Sequence, residues 1–242
     1  MKLRVGSVET DVRVAAVMST PRLAFTDNLL CVSAALSPLG ISPVKVSGAF
    51  WSQCLDRGMT SVLDTSDVVL VIDYDTVFNV KTVEALLTLM LHSGVDAIAP
   101  LQMKRESDSV MFSMPDVAPD EKCQVSGEWF KTPVQRVHTA HFGLTFLRTA
   151  ALKKVKRPWF HATPNDSGQY TGGHIDEDLS FWHGWQEAGN TLGVATGVSV
   201  GHCELMVTWP SMNAPGNKIQ QHSTEYWNSG QKAPPEAWGD IQ

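Results

Sequence analysis

Apolar residues in this chain come in two textures that alternate. One is the short apolar run: "VRVAAVMST" (12–20), "DVVLVI" (67–72) and "VDAIAP" (95–100), with "SPVKVSG" (42–48), broken by Lys45, as a further strand. The first of these is rich in β-branched residues and ends in small polar ones, as a central parallel strand does. The other texture is longer, with apolar residues at helical spacing. "TDNLLCVSAALSPLG" (26–40) predicts a helix capped at Thr26 or Asp27 and stopped at Pro38–Gly40, and "SQCLDRGMTSVLDTS" (52–66) predicts a second. "KTVEALLTLMLHSG" (81–94) predicts a third, closed by its glycine. Strand and helix alternate in this way through residue 100, which is the βαβ pattern of a mostly parallel sheet.

Beyond residue 100 the pattern loosens. Residues 103 to 133 are polar, and "SDSVMFSMPDVAPDEK" predicts a surface loop or small hairpin. "PVQRVHTAHFGLTFLRTAALKKV" (133–155) restarts as strand then helix, and "HATPNDSGQYTGGH" (161–174) is a turn-rich loop. "DEDLSFWHGWQEAG" (176–189) predicts a helix and "TLGVATGVSVGH" (191–202) a strand. From Trp209 onward, prolines, glycines and scattered aromatics predict an arm lying over the core. No repeat or linker divides the chain, so the expectation is one α/β domain over 1–208 with a C-terminal arm over 209–242.

Composition adds exclusions. The chain has 242 residues, 43% hydrophobic and 18% charged, with a net charge of −6. That balance argues against a protein that grips nucleic acid over its whole surface, though residues 148–157 gather five cationic side chains. No run reaches the ~18 consecutive apolar residues that cross a bilayer. The first residues, "MKLRVGSVETDVRV", lack the apolar centre of a signal peptide. The four cysteines (31, 54, 123 and 203) are far apart and form no C-x-x-C pair, so they read as reduced thiols. Together these features predict a soluble, cytoplasmic chain with no membrane span.

The chemistry gathers where strands end. In "VVLVIDYDTVF" (68–78), Asp73 and Asp75 follow a buried strand, the edge at which ligands of open α/β sheets collect. Alternation places both on one side of an extended chain with Tyr74 opposite. Two such carboxylates can share a divalent cation bound through oxygen, Mg2+ or Mn2+, with positions left for water and substrate phosphates. The plain alternative is that one aspartate caps a helix near residue 80 and the other is solvated. In the acidic helix, Asp176 is the expected cap and Glu177 and Asp178 occupy the first turn. Phe181, Trp182 and Trp185 form one stripe, with Asp178 at its edge, where a carboxylate can accept a proton from a hydroxyl. Acidic decoration of a helix start is the plain alternative there. His202 ends the late strand; the plain alternative is a structural histidine with satisfied hydrogen bonds, and as a ligand its imidazole added to oxygen donors favours Mn2+ over Mg2+.

In this order, the three pieces resemble a nucleotide-sugar glycosyltransferase of the GT-A fold, closest to compact members that are often phage-encoded. "VVLVIDYDTVF" is similar to the family's Asp-x-Asp strand, and "HTAHFGLTFLRTAALKKVKRPWF" to its glycine, apolar run, helix and "PWF". "DEDLSFWHGWQEAGNTLGVATGVSVGH" is similar to its Glu-Asp helix and the late strand ending in Gly-His. The similarity spans most of residues 12 to 203. It implies a mostly parallel, Rossmann-like central sheet flanked by helices, and transfer of a sugar from a nucleoside-diphosphate sugar to an acceptor hydroxyl. It implies Mn2+ or Mg2+ held by Asp73, Asp75 and His202, with Asp75 the more direct ligand and Asp73 also facing the donor. Asp178 matches the base of inverting members and Glu177 its acidic neighbour; in retaining members the same acid orients the acceptor. Ser19, Thr20 and Pro21 fall where the donor nucleotide rests. Where relatives open the second helix with Ala-Arg-Asn, this chain has Gln53 and Cys54 in place of the Arg and Asn, and Arg57, one turn later, is the candidate substitute. The loop 161–174 and the aromatic tail (Trp209, Tyr226, Trp227) are candidates to close over the donor.

The acceptor stays open: a glycan, a protein side chain, a small molecule or a hydroxylated base in phage DNA all fit. Two rival readings are a nucleotidyltransferase, which usually carries a glycine-rich basic loop that "STPRLAFTDN" lacks, and a non-catalytic nucleotide-sugar binder.

Overall fold

The structure, a computed structural model, describes residues 2–5, 8–20, 24–104, 110–114, 127–210 and 219–223. The chain opens with a hairpin of β1 (Lys2–Val5) and β2 (Val8–Asp11), then runs through β3 (Val14–Thr20), α1 (Thr26–Leu36), β4 (Pro43–Ser47) and α2 (Trp51–Val62). Next come β5 (Val68–Ile72), β6 (Thr76–Val77), α3 (Val80–Ser93), β7 (Ala97–Leu101) and β8 (Phe112–Ser113). They are followed by β9 (Val134–Arg136), β10 (Thr139–Ala140), β11 (Leu144–Arg148) and α4 (Thr149–Leu152). The last elements are α5 (Glu177–Glu187), β12 (Leu192–Ser199), β13 (Gly201–His202), and the paired strands β14 (Met206–Pro210) and β15 (Ile219–Ser223).

Seven strands make one sheet in the order β4-β3-β5-β11-β7-β12-β9. β3 runs parallel to β4 and β5, and β7 parallel to β12. β11 is inserted antiparallel between β5 and β7, and β9 is antiparallel at the edge. The sheet is thus mostly parallel, as the alternating pattern predicts, and helices cover both faces. β5 shows why its run is unbroken: Val68, Leu70 and Ile72 pack toward α1 and α3, while Val69 and Val71 pack toward α2, α4 and α5. Both faces of the strand are dry, so neither has a use for polar residues. α2 comes close to β3 because it carries Gly58; a Cβ there would sit 2.3 Å from the Val17 Cγ1.

Some local expectations shift. α1 is capped by Phe25 without a side-chain bond, not by Thr26 or Asp27, which lie inside the helix. Asn79 caps α3, accepting from the Thr82 amide in a capping box, so neither Asp73 nor Asp75 serves there. α3 closes at Gly94 in the left-handed region (φ 70°), as its glycine predicts. The helix expected after "LTFLR" is only four residues long. The cationic strip is largely engaged in structure. Arg148 donates to the carbonyls of Val95 and Met90 at 3.1 and 3.2 Å, Lys153 pairs with Asp64 at 2.7 Å, and Arg157 pairs with Asp56 at 3.0 Å.

Among the described residues, no helix is long and apolar enough to cross a membrane, and Cys31, Cys54 and Cys203 are free thiols. Cys123, Pro21, much of the 103–133 loop and most of the arm, including Tyr226 and Trp227, lie outside the described residues.

Candidate active site

β5 ends at Ile72, and the chain then turns instead of continuing extended, so Asp73 and Asp75 do not project side by side. The turn has a clear cause. Asp73 donates its amide to the Gly143 carbonyl at 3.0 Å, and the buried Asn28 side chain donates to the carbonyls of Asp73 and Thr76 at 2.9 and 2.6 Å. Asp73 keeps the parity of Val69 and Val71 and faces α2. Its Oδ1 accepts from the Ser19 hydroxyl (2.8 Å), the Tyr74 amide (2.9 Å) and the Trp51 indole N–H (3.1 Å). Burial, and next the Asp75 carboxylate, push the Asp73 carboxyl up to about 6 against those three donors.

Asp75 lies in the turn itself, 3% exposed, and meets a different partner. β6 pairs with β13, setting His202 opposite Thr76, and the Cys203 amide donates to the Asp75 carbonyl at 2.7 Å. This register brings His202 Nε2 to 3.2 Å from Asp75 Oδ2. His202 Nδ1 lies 2.9 Å from the Met103 carbonyl oxygen, which can only accept, so Nδ1 carries the proton. In the neutral ring Nε2 then presents a lone pair to a carboxylate oxygen. Two acceptors held this close need a proton or a cation between them.

That arrangement suits a divalent cation. Two oxygen or nitrogen donors bound at right angles at ~2.1 Å stand about 3.0 Å apart, near the observed separation. One carboxylate and one imidazole form a donor set that shifts preference from Mg2+ toward Mn2+. Among the described residues, no group of three or more His, Cys, Asp and Glu side chains is close enough to hold a metal. The structure therefore brings together two of the three expected ligands, Asp75 and His202, and turns the third, Asp73, toward Ser19 and Trp51.

The acidic helix approaches from the α2 side. Glu177 accepts from the Ser52 hydroxyl at 2.8 Å, and Ser52 follows Trp51, the residue bound to Asp73. One short relay thus joins Glu177 to the end of β5. Asp178 is half-buried and accepts its neighbour's amide, from Leu179, at 2.8 Å. Burial pushes its carboxyl up, with the charges of Asp176 and Glu177 adding to the rise. Asp176 holds the capping position without a capping bond; its carboxylate pairs with His174 at 2.9 Å instead. Phe181, Trp182 and Trp185 are fully buried, as their spacing predicts, each worth ~3 kcal/mol at the upper end. They extend into an aromatic wall in which Trp51 meets Phe142 and Phe160 edge-on, at 5.7 and 5.5 Å.

The remaining expected residues are placed as follows. Ser19 is buried at the end of β3 against Asp73, and Thr20 beside it is buried with its Oγ1 lacking a partner among the described residues. Arg57 donates to the carbonyls of Gln53 and Ser47 and faces a cleft shared with Arg157 and Phe160. Sequence reasoning missed Asn28, Trp51, Ser52 and His141. His141 is buried, accepts the Gly143 amide at Nδ1 (3.0 Å), lies 2.9 Å from the Pro100 carbonyl through Nε2, and is pushed down to about 4 by burial, which keeps it neutral. Gly143 is required by crowding: a Cβ would come within 2.6 Å of Gln102 Oε1 and Thr76 Oγ1.

No family model and no curated protein matches this sequence. Solved structures do. A197 from STIV superposes with a TM-score of 0.52 at 16% identity, over 85% of this chain and 92% of that one. GalNAc-T7, in a structure with UDP, GalNAc and Mn2+, superposes with a TM-score of 0.57 at 10% identity over 79% of this chain. The chain has the GT-A fold. It spans 44% of the GalNAc-T7 chain, and at these identities the likeness concerns the fold.

Proposed function

We propose that this GT-A protein is a metal-dependent glycosyltransferase that moves a sugar from a nucleoside-diphosphate sugar to an acceptor hydroxyl. The observation that carries the reading is the 3.2 Å approach of Asp75 Oδ2 and His202 Nε2 at the carboxyl edge of the sheet, with the His202 tautomer fixed by Met103. Mn2+ fits between them, and the GalNAc-T7 structure, which contains UDP, GalNAc and Mn2+, supports both parts of the pairing. Bound there, the ion supplies charge neutralisation for a departing diphosphate.

The chain's own residues supply the rest. Ser19 and Trp51 hold one oxygen of Asp73, leaving the other for the donor, and the Thr20 hydroxyl, which has no partner among the described residues, lies beside Ser19 as a further donor contact. Pro21 follows them in sequence. Glu177 is oriented by Ser52. Asp178, with its carboxyl raised by burial, is a stronger base than an exposed aspartate and takes the proton of the acceptor hydroxyl. The aromatic wall beneath these groups keeps their geometry rigid.

A panel of nucleotide sugars incubated with Mn2+, each scored for slow hydrolysis, tests this reading without a known acceptor. Hydrolysis of one donor that disappears in Asp75→Ala supports it. No turnover of any donor, alongside intact donor binding, identifies a non-catalytic binder instead.

A further inference from the structure

Beside the acidic helix lies a cleft of about 540 Å³ that the proposed chemistry leaves unused. Its walls are α2, through Ser52, Gln53, Asp56 and Arg57, and the segment after α4, through Arg157 and Phe160. The volume is within the range of small-molecule sites. Ser52 belongs to both places, since it lines the cleft and donates to Glu177. A molecule in the cleft is therefore one side chain away from the Glu177 carboxylate.

The residues that line the cleft carry one net positive charge on a chain of net charge −6. Two guanidinium groups and one carboxylate line it. Arg157 is committed: it pairs with Asp56 at 3.0 Å, donates to the Thr60 hydroxyl at 2.6 Å, and stacks 3.8 Å over the Trp159 ring. Arg57 is not. Its bonds go to neutral acceptors, the carbonyls of Gln53 (3.2 Å) and Ser47 (3.1 Å) and the Cys54 sulfur (3.8 Å), and it pairs with no carboxylate among the described residues. These bonds fix the guanidinium at low entropic cost while leaving its charge uncompensated, a pre-organised anion contact. Gln53 is exposed on the same wall and can serve hydroxyl groups, and the partly exposed Phe160 offers an apolar face.

We infer that this cleft is a subsite for an acidic saccharide, with Arg57 meeting its carboxylate or phosphate and Gln53 its hydroxyls. This deepens the glycosyltransferase reading, on which the identity of the saccharide as acceptor rests; the binding itself does not depend on that reading. Arg57 then serves the acceptor and not the donor diphosphate.

The test is calorimetric titration of the protein with D-glucuronate, D-glucose 6-phosphate, D-glucose, inorganic phosphate and UDP with Mn2+. Arg57→Gln and Gln53→Glu are compared with wild type; the second adds a carboxylate at an exposed helix position where folding is not at stake. The expected result is that at least one acidic sugar binds ten-fold or more tighter than glucose and inorganic phosphate. That preference falls at least ten-fold in both variants, while UDP affinity is unchanged. The inference is overturned if acidic sugars bind no better than glucose, if inorganic phosphate binds as well as they do, or if either variant retains wild-type affinity for them. It is also overturned if Arg57→Gln loses UDP, which assigns Arg57 to the donor. Selective acidic-sugar binding without turnover of any nucleotide sugar leaves the cleft standing and removes the enzyme reading; donor turnover without such binding does the reverse.

Discussion

Asn28 gives the sharpest handle on how the fold builds the site. Its side chain is fully buried, and its amide nitrogen donates to the carbonyls of Asp73 and Thr76, the two ends of the turn that carries Asp75. Asn28→Ala leaves both carbonyls without that donor. An unsatisfied buried acceptor costs ~1–3 kcal/mol; the Asp73 carbonyl belongs to a half-buried residue and the fully buried Thr76 carbonyl keeps the weaker Cys31 thiol at 3.6 Å, so about 1–2 kcal/mol each, or about 2–4 kcal/mol in all, is the fitting value. For a chain of this length 1 kcal/mol moves the melting temperature by about 2–4 °C, so a fall of roughly 4–16 °C is expected by circular dichroism. Asn79→Ala is the matched control, since it removes the α3 cap for about 1 kcal/mol without touching the turn. Mn2+-dependent donor hydrolysis should fall in Asn28→Ala and persist in Asn79→Ala at a temperature where both are folded. A melting shift below about 2 °C, or equal hydrolysis in the two variants, refutes the view that Asn28 sets the position of Asp75.

Three further outcomes follow from the same geometry. Gly58→Ala puts a Cβ 2.3 Å from Val17 Cγ1, so it should cost about 1–3 kcal/mol by denaturant unfolding; a neutral result means α2 is free to move off β3. Asp178→Asn should cut transfer by two or more orders of magnitude while donor binding stays within about two-fold, as expected for a general base. The Asp178 carboxyl is raised, so its contribution to stability is full below the ordinary carboxylate range and is lost as pH rises through its own higher value. Wild type should therefore lose more stability than Asp178→Asn between pH 4 and 7, and the acidic limb of its pH–rate profile should lie above the ordinary aspartate value of ~4. Parallel stability curves for the two proteins contradict the assignment.

The fold was legible because burial on two faces writes itself plainly: β3, β5 and β7 are unbroken apolar runs, and α5 shows its stripe of Phe181, Trp182 and Trp185. The reversed direction of β11 was not legible, because apolar alternation carries no sign of strand polarity. The site was half legible. Asp75 and His202 were found by their position at strand ends, and the structure joins them. Asp73 was expected beside Asp75 because alternation assumes an extended chain, and the hydrogen bonds from Asn28 and to Gly143 break that assumption. Those bonds connect residues 45 and 70 positions apart, and no local pattern announces them. Trp51 was missed because its polar N–H is invisible to hydrophobic periodicity.

Mn2+ binding followed by electron paramagnetic resonance, with UDP present, decides whether Asp75 and His202 hold one divalent cation. One bound Mn2+ per wild-type chain is expected, with affinity at least ten-fold weaker in both Asp75→Ala and His202→Ala and circular dichroism unchanged. Undiminished Mn2+ binding in both folded variants would contradict it.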